Sequence, residues 1–300
     1  MSALFELHYI KTSDGIGLEG ILATPKSRTQ TAALWVHGLT GSFYSCPERL
    51  DAIAAALNKK GVVLAAFNNR GHDVVASFKG RGGKGKTFVA GGALEKFADC
   101  VKDLRAAIGF LHRQGYKNIY LIGHSTGANK SLYYMARTQD RRVKGLALIG
   151  PLSDLAIEKH RLGATFKRNL ERVRRYSKHH NPDWPMPDDI SHVILGARRY
   201  LSLHDPKSRE DVFPYHDPKA SWSALKKVRV PLAIVIGQKD QHLGMWRAAD
   251  LVNVFRKKAA ATRQFTGIVV PRSNHSFTRT YEELAKALAG WVREDRKSVV

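Results

Sequence analysis

The stretch NIYLIGHSTGANK, residues 118–130, decides the fold. It begins with an apolar run that is typical of a buried strand and continues directly into a sequence typical of a helix. Between the two, GHSTG at 123–127 follows the pattern Gly-x-Ser-x-Gly, whose glycines leave the backbone room for a sharp strand-to-helix turn. Such a turn exposes the central hydroxyl at the carboxyl edge of a sheet, so Ser125 is the predicted nucleophile.

On both sides of this stretch, strand signals alternate with helix signals. Apolar runs predict strands, in chain order, at 4–10, 17–25, 31–38, 62–68, 118–123, 143–151, 231–237 and 266–271. Apolar residues at helical spacing predict helices at 47–61, 92–115, 127–138, 246–258 and about 280–295. Core strands this apolar, separated by helices, indicate an α/β fold with a mostly parallel sheet flanked by helices on both faces.

The alternation stops at Leu152. Residues 152–229 are polar and helical in pattern, with aromatic residues interspersed, and the alternation of strands and helices resumes after them. We therefore predict a core domain of residues 1–151 and 230–300, with a helical insertion of residues 152–229 before the penultimate strand.

The element order and the serine motif in this context resemble the α/β-hydrolase superfamily over nearly all of the 300 residues. The resemblance implies an α/β-hydrolase fold and a catalytic triad in the chain order serine, acid, histidine. It also implies that the insertion forms a cap, or lid, over the active site. Together, HGLTGS at 37–42, NNRGHD at 68–73 and GHSTGANK at 123–130 resemble the fungal siderophore-esterase-like branch of this superfamily.

A serine hydroxyl is a weak nucleophile, and it needs a base that an acid holds in place. His275 is the predicted base because, among thirteen histidines, it alone lies in the loop after the last predicted strand. Its sequence, NHSF at 274–277, resembles the histidine loop of the superfamily. Asp240 follows the strand at 231–237 and is the predicted acid, while Asp154, after the preceding strand, is the alternative.

The tetrahedral intermediate of acyl transfer needs hydrogen-bond donors for its oxyanion. One predicted donor is the backbone N–H of Thr126, which directly follows the nucleophile. The resemblance places the second donor on the residue after His-Gly in the loop HGLTGS, which is Leu39.

These residues predict a carboxylic ester hydrolase that works through an acyl-enzyme and requires neither a metal nor an organic cofactor. The same triad could also cleave an amide, as in an aminopeptidase, a thioester or a carbon–carbon bond, or transfer the acyl group. A protein of another class, a non-catalytic or slow-hydrolase ligand-binding protein, stays open as well.

The charge of the chain is strongly positive. Lys and Arg number 49 against 26 Asp and Glu, a formal net charge of +23 that attracts nucleic acids and anionic ligands. No recognition motif or compact basic stripe accompanies the charge, so we do not expect a nucleic-acid partner. The segment 156–178 holds eight Lys or Arg against two Glu, and it is either a solvated helix face or a surface that steers an anionic substrate.

The expected partner is a small ester with an aromatic or an anionic group. The aromatic alternative depends on large side chains of the insertion, which either line the substrate pocket or pack the cap onto the core: Phe166, Tyr176, Trp184, Met186, Tyr200, Phe213, Tyr215 and Trp222.

Two further patterns bear on location and ligands. The N-terminus lacks a secretory signal pattern, and no apolar run reaches the ~20 residues of a membrane span. Cys46 and Cys100 have no metal or redox spacing. We therefore predict a cytoplasmic protein. GRGGKGKT at 80–87 matches the phosphate-loop pattern but lacks a buried strand directly before it and a helix after it, so we predict a surface loop there.

Overall fold

The fold is described from a computed structural model in residues 3–79, 87–191, 193–217 and 219–297. These residues form the strands β1 (Glu6–Lys11), β2 (Gly17–Ala23), β3 (Thr31–Val36), β4 (Val63–Phe67), β5 (Ala76–Lys79), β6 (Thr87–Ala90), β7 (Asn118–His124), β8 (Val143–Ile149), β9 (Leu232–Gly237) and β10 (Phe265–Val270).

Helices alternate with these strands. They are α1 (Pro47–Asn58), α2 (Cys100–Arg113), α3 (Thr126–Thr138), α4 (Asp154–Leu162), α5 (Phe166–His179), α6 (Ala197–His204), α7 (Ala248–Lys258) and α8 (Tyr281–Lys297), with short 3-10 turns at Phe97–Asp99, Gly163–Thr165 and Leu225–Lys227.

Eight strands form one sheet in the order β1-β2-β4-β3-β7-β8-β9-β10. All neighbours from β4 to β10 are parallel, whereas β2 runs antiparallel to both β1 and β4. The chain moves outward from β3 to β4 and then returns to the other side of β3 to form β7. The carboxyl ends of β3 and β7 therefore flank the crevice where ligands bind in open α/β sheets.

The two faces of the sheet carry separate hydrophobic cores. One core packs α1 and α8 against the sheet through Ile53, Leu57, Leu284 and Leu288, all without exposed surface. The other core packs α2, α3 and α7 against the opposite face. Since both faces are covered, the parallel strands can be largely apolar, and β9 (LAIVIG) is buried along its whole length.

The two largest differences from the sequence-based helices are at the start of α2 and within the basic segment 156–178, whereas α1 ends at Asn58 and α7 begins at Ala248, close to the predicted bounds. The helix predicted at 92–115 begins only at Cys100, because Gly91 has a φ of 101° and the following residues form a turn. The basic segment 156–178 is divided between α4 and α5 at Gly163, whose φ of 52° is incompatible with a continuing helix.

The insertion between β8 and β9 contains α4, α5 and α6. Its first part has a hydrophobic cluster of its own, which includes Leu155, Phe166 and Tyr200. Its last part instead joins the core of the sheet, where Trp222 packs edge-on against Phe255 of α7 with ring centroids 5.2 Å apart. The division of the chain into core and cap domains at 151 and 229 stays a prediction.

The phosphate-loop pattern at 80–87 falls between β5 and β6. These strands pair antiparallel, and Thr87 begins a strand rather than a helix. The preceding residues of the pattern, 80–86, lie outside the described residues, and so does most of the surface loop predicted there.

Candidate active site

Ser125 lies on a sharp turn between β7 and α3. Its backbone has φ 57° and ψ −130°, a region that costs a non-glycine residue about 1–3 kcal/mol. A Cβ atom on Gly123 would lie 2.3 Å from the carbonyl oxygen of Gly127, and one on Gly127 would lie 2.2 Å from that of Val36. Both glycines of the motif are therefore required by close backbone contacts, and the turn leaves Ser125 partly exposed.

His275 and Asp240 meet at the carboxyl ends of the neighbouring strands β10 and β9. The Nδ1–H of His275 donates a hydrogen bond of 2.8 Å to Oδ2 of Asp240, whose Oδ1 accepts a 2.8 Å bond from the backbone N–H of His242. This arrangement places the proton of a neutral His275 on Nδ1. Nε2 is buried and has no hydrogen-bond partner within the described residues, so it is free to accept a proton.

The alternative acid, Asp154, lies elsewhere. It begins α4, its Oδ2 is buried without a hydrogen-bond partner in the described part of the chain, and burial followed by the charge of Glu210 raises its pKa to about 8. A carboxyl group that is protonated at neutral pH is a poor partner for an imidazolium. The structure brings Asp240 to His275, and not Asp154.

His124, the residue before Ser125, connects the serine turn to the histidine loop. Its Nε2–H donates a 2.9 Å hydrogen bond to the backbone carbonyl of His275, and its ring stacks on Trp35. Burial, followed by the charge of Arg49, lowers the pKa of His124 well below its usual range, so the ring stays neutral. This placement agrees with a packing and hydrogen-bonding role for His124 rather than a reactive one.

The predicted oxyanion loop passes directly beside Ser125. A Cβ atom on Gly38 would lie 2.8 Å from Cβ of Ser125 and 3.3 Å from its Oγ, so only glycine allows this approach. Leu39 follows and packs against the hydrophobic cluster of the insertion. Thr126 is the first residue of α3, where helix N–H groups have no partner within the helix. Both predicted donors therefore belong to backbone segments that adjoin Ser125.

A chain of buried hydrogen bonds holds the oxyanion loop. Nζ of Lys130, on α3, donates to Oδ1 of Asn69 at 2.9 Å, and the N–H of Asn69 donates to Nε2 of His37 at 3.0 Å. Nδ1–H of His37 in turn donates to the carbonyl of Gly38 at 2.9 Å. Burial, followed by the charge of Lys130, lowers the pKa of His37 to about 3, which keeps it in this neutral tautomer.

Lys130 also belongs to a buried network of charges. Its side chain has no exposed surface and forms a 2.8 Å ion pair with Glu95. Glu95 also pairs with Arg199 of α6 at 3.1 Å, and Arg199 pairs with Glu210. Burial would raise the pKa of Glu95, but the charges of Lys130 and Arg199 outweigh it and lower that pKa. The network thus joins the helix that follows Ser125 to the insertion.

A cavity of about 370 Å³ lies one side chain away from His275, and neither Ser125, Asp240 nor His275 is among its lining residues. The ring of His242 contacts that of His275 edge-on, with centroids 4.6 Å apart, and forms part of the cavity wall. The other walls come from α4, from the segment between α6 and β9, and from the loop between β9 and α7: Ala156, Ile157, Lys159, His160, Tyr215, His216, Leu243, Gly244, Met245 and Trp246.

The sequence did not identify the loop that forms much of this cavity. Of the eight large side chains expected from the insertion, only Tyr215 lines it. Trp184 is 60% exposed, and most of the others are buried in hydrophobic clusters. Met245 and Trp246 could have indicated this loop as a cavity wall, since these two large apolar residues follow the predicted acid Asp240 in the same loop.

Two features are absent from the described residues. These residues contain no helix long and apolar enough to cross a membrane. Nor do they contain a group of three or more His, Cys, Asp or Glu residues that could hold a metal ion.

Comparison with known proteins gives both sequence and structural relatives. Residues 33–287 match the model of the alpha/beta hydrolase family. A protein described as putative esterase/lipase 3, from Mycoplasma pneumoniae, is 21% identical over 195 residues, which are 64% of this chain and 70% of that protein. Its counterpart from Mycoplasma genitalium is 22% identical over 208 residues, 64% of this chain and 69% of its own length.

Solved structures share the fold at low sequence identity. The siderophore hydrolase EstB from Aspergillus fumigatus aligns with a TM-score of 0.69 and 18% identity, over 97% of this chain and 98% of its own. Est1E from Butyrivibrio proteoclasticus, with ferulic acid bound, aligns with a TM-score of 0.63 and 18% identity, over 97% and 99%.

Proposed function

We propose, from the premise that this chain belongs to the alpha/beta hydrolase family, that it is a serine hydrolase acting on carboxylic esters. The 2.8 Å hydrogen bond between His275 and Asp240 carries the proposal, because it leaves Nε2 of His275 free as a base. The strained turn at Ser125, tied to the histidine loop through His124, supports Ser125 as the nucleophile.

In the proposed reaction, Oγ of Ser125 attacks the ester carbonyl while Nε2 of His275 takes its proton. His275 then returns that proton to the leaving alcohol, and an acyl-enzyme remains. Asp240 keeps His275 in the reactive tautomer and stabilises its charged form. A water molecule, activated by the same base, then hydrolyses the acyl-enzyme.

The backbone N–H groups of Leu39 and Thr126 are the proposed oxyanion donors. The close approach of Gly38 to Ser125 supports the first, and the position of Thr126 at the start of α3 supports the second. One such donor stabilises the transition state by ~3 kcal/mol.

The insertion is the proposed cap, since its cluster packs against Leu39 and α4 lines the cavity beside His275. We propose a small ester as substrate, in keeping with the relatives described as esterases. A cytoplasmic location stays a prediction.

A fluorophosphonate label, located by mass spectrometry, tests the proposed nucleophile. We expect modification at Ser125 in the folded protein and none there in Ser125→Ala, because only a serine activated by a base attacks the phosphorus. Matched ester, thioester and anilide substrates then separate the reaction classes. The proposal fails if the folded protein is unlabelled at Ser125, or if it cleaves amides or thioesters but not esters.

A further inference from the structure

The cavity beside His275 combines an apolar wall with basic side chains, and burial lowers the pKa of two of them, His216 and His242. Leu243, Met245, Trp246 and Ile157 supply apolar surface. The titratable side chains that line it, apart from the phenol of Tyr215, are Lys159, His160, His216 and His242, and no carboxylate is among its lining residues. An apolar ligand that ends in a negative charge matches this lining better than a neutral one does.

Lys159 is the permanent charge of this set. It projects from α4, is half-buried, and has no carboxylate within ion-pair distance among the described residues. Its Nζ lies 5.9 Å from the ring centroid of Phe166, a contact that leaves all three N–H donors available. An ammonium group without a carboxylate partner is available to bind an anion.

Carboxylates line a neighbouring cavity instead. That cavity, of about 520 Å³, shares Lys159 and His216 with the first but contains Asp211 and Asp217. Asp211 is already engaged, since it accepts a 2.7 Å hydrogen bond from Ser153 and lies 3.5 Å from Nδ1 of His216. The two carboxylates disfavour an anionic group in the second cavity, so the first cavity, where Lys159 has no carboxylate beside it in the lining, suits an anion better.

We propose that the preferred substrate is an ester with an apolar arm that ends in a carboxylate, and that Lys159 binds this carboxylate. This inference rests on the proposed esterase function, because it specifies which part of the ester substrate binds in the cavity beside His275. Lys159 is then a residue that determines specificity, with no part in the acyl transfer itself.

Two ester series test the proposal, one for each side of the scissile bond. The first contains para-nitrophenyl esters of dicarboxylic acids, and the second contains acetate esters of terminal hydroxy acids, both at increasing chain length. In each series the free carboxylate is compared with the corresponding primary amide, which has nearly the same size and no charge. We expect kcat/KM to favour the carboxylate in at least one series.

Lys159→Met should lower kcat/KM for the favoured carboxylate about tenfold to a hundredfold while leaving its amide analogue nearly unchanged, the size expected for a lost charged hydrogen bond. Lys159→Arg should restore most of the preference. Lys257→Met is the matched control, because Lys257 is exposed on α7 and its replacement changes the net charge equally. A preference for the amide, or an equal loss on both substrates in Lys159→Met, would overturn the proposal.

A binding measurement separates failure of this inference from failure of the esterase function. The free hydroxy acids and dicarboxylic monoamides are titrated into the protein by calorimetry, with their fully amidated forms as reference. Tighter binding of the carboxylates, weakened by Lys159→Met but not by Lys257→Met, supports the inference even without turnover. Hydrolysis of neutral esters with no preference in binding or rate leaves the esterase standing and rejects the role of Lys159.

Discussion

At the scale of single residues, Asp240 and Asp154 show how the surrounding structure gives two carboxyl groups different hydrogen bonds. Each follows a core strand, and the sequence alone left both open as the acid. Asp240 accepts hydrogen bonds from His275 and from the backbone of His242, whereas an oxygen of Asp154 is buried without a partner in the described structure. The difference comes from loops that meet only in the folded protein.

Asn substitutions at the two positions separate their roles. Asp240→Asn should lower kcat by about 10³–10⁴, because an amide favours the wrong tautomer of His275. Asp154→Asn should retain kcat near neutral pH, since an amide resembles the protonated carboxyl group. Ester hydrolysis by both variants checks the assignment, which would be contradicted if Asp154→Asn were the inactive one.

Gly150 allows a second test, which concerns the position of the His275 ring. Its φ is 52°, and a Cβ atom there would lie 2.9 Å from Cε1 and 3.0 Å from Nδ1 of His275. Gly150→Ala should therefore displace the ring and lower kcat about a hundredfold, the usual effect of a misplaced catalytic group.

Gly163 is the matched control for Gly150→Ala. It has the same φ of 52°, but nothing lies within 4 Å of its Cβ position. Both Ala variants should lose about 1–2 kcal/mol of stability from the left-handed backbone, while only Gly150→Ala loses activity. Equal activities in the two variants would show that the contact with His275 is tolerated.

At the scale of elements, α3 links the nucleophile to the rest of the site. The helix begins directly after Ser125, and Lys130 on it holds both Asn69 and Glu95. Apolar periodicity predicted the helix, yet it could not show that this lysine would be buried, because its partners are distant in sequence. Sequence periodicity also missed α6, a short helix in a polar segment, and the division between α4 and α5, for which Gly163 was the available signal.

Lys130→Met should lower the free energy of unfolding by about 3–5 kcal/mol, because it leaves the buried carboxylate of Glu95 with one cation fewer. It should also lower kcat more than it raises KM, since the loop that contains Leu39 loses its support. Urea unfolding and ester kinetics measure both effects. Lys144→Met, at an exposed position on β8, is the control and should change stability by less than about 0.5 kcal/mol.

At the scale of the whole molecule, the fold was the most predictable feature. The predicted α/β-hydrolase fold is confirmed by the family match over residues 33–287 and by the solved structures that align with nearly the whole chain. Buried parallel strands have a clear apolar signature, so they were found from sequence. The cavity was not found, because its walls come from α4, residues 215–216 and the loop 242–246, which are distant in sequence and meet only in the folded protein.

The net charge of +23 is also a property of the whole molecule, and it bears on the attraction of an anionic substrate. On α5, Arg172 and Arg174 form ion pairs with Asp189 and Asp205, while the other basic residues of that helix face solvent. We expect added salt to lower kcat/KM for a carboxylate-bearing ester more than for its neutral amide analogue, because salt screens the attraction between charges farther apart than the Debye length, which is about 10 Å at 0.1 M salt. Parallel decreases for both substrates would exclude electrostatic steering.

The buried carboxyl group of Asp154 makes folding a proton-binding reaction. Its pKa rises from 3.8 to about 8 in the folded chain, so at neutral pH the folded state holds a proton that the unfolded state has released. The stability this proton provides is fully present below about pH 4 and is lost as pH rises to about 8, by up to about 1.4 kcal/mol per pH unit.

Asp154→Asn should abolish this dependence, and it should become more stable relative to the original chain as the solution turns alkaline. Calorimetric unfolding in buffers with different ionisation heats counts the protons directly. We expect the original chain to release nearly one proton more on unfolding at neutral pH than the Asn variant does. The same count in both proteins would mean that Asp154 is ionised in the folded chain.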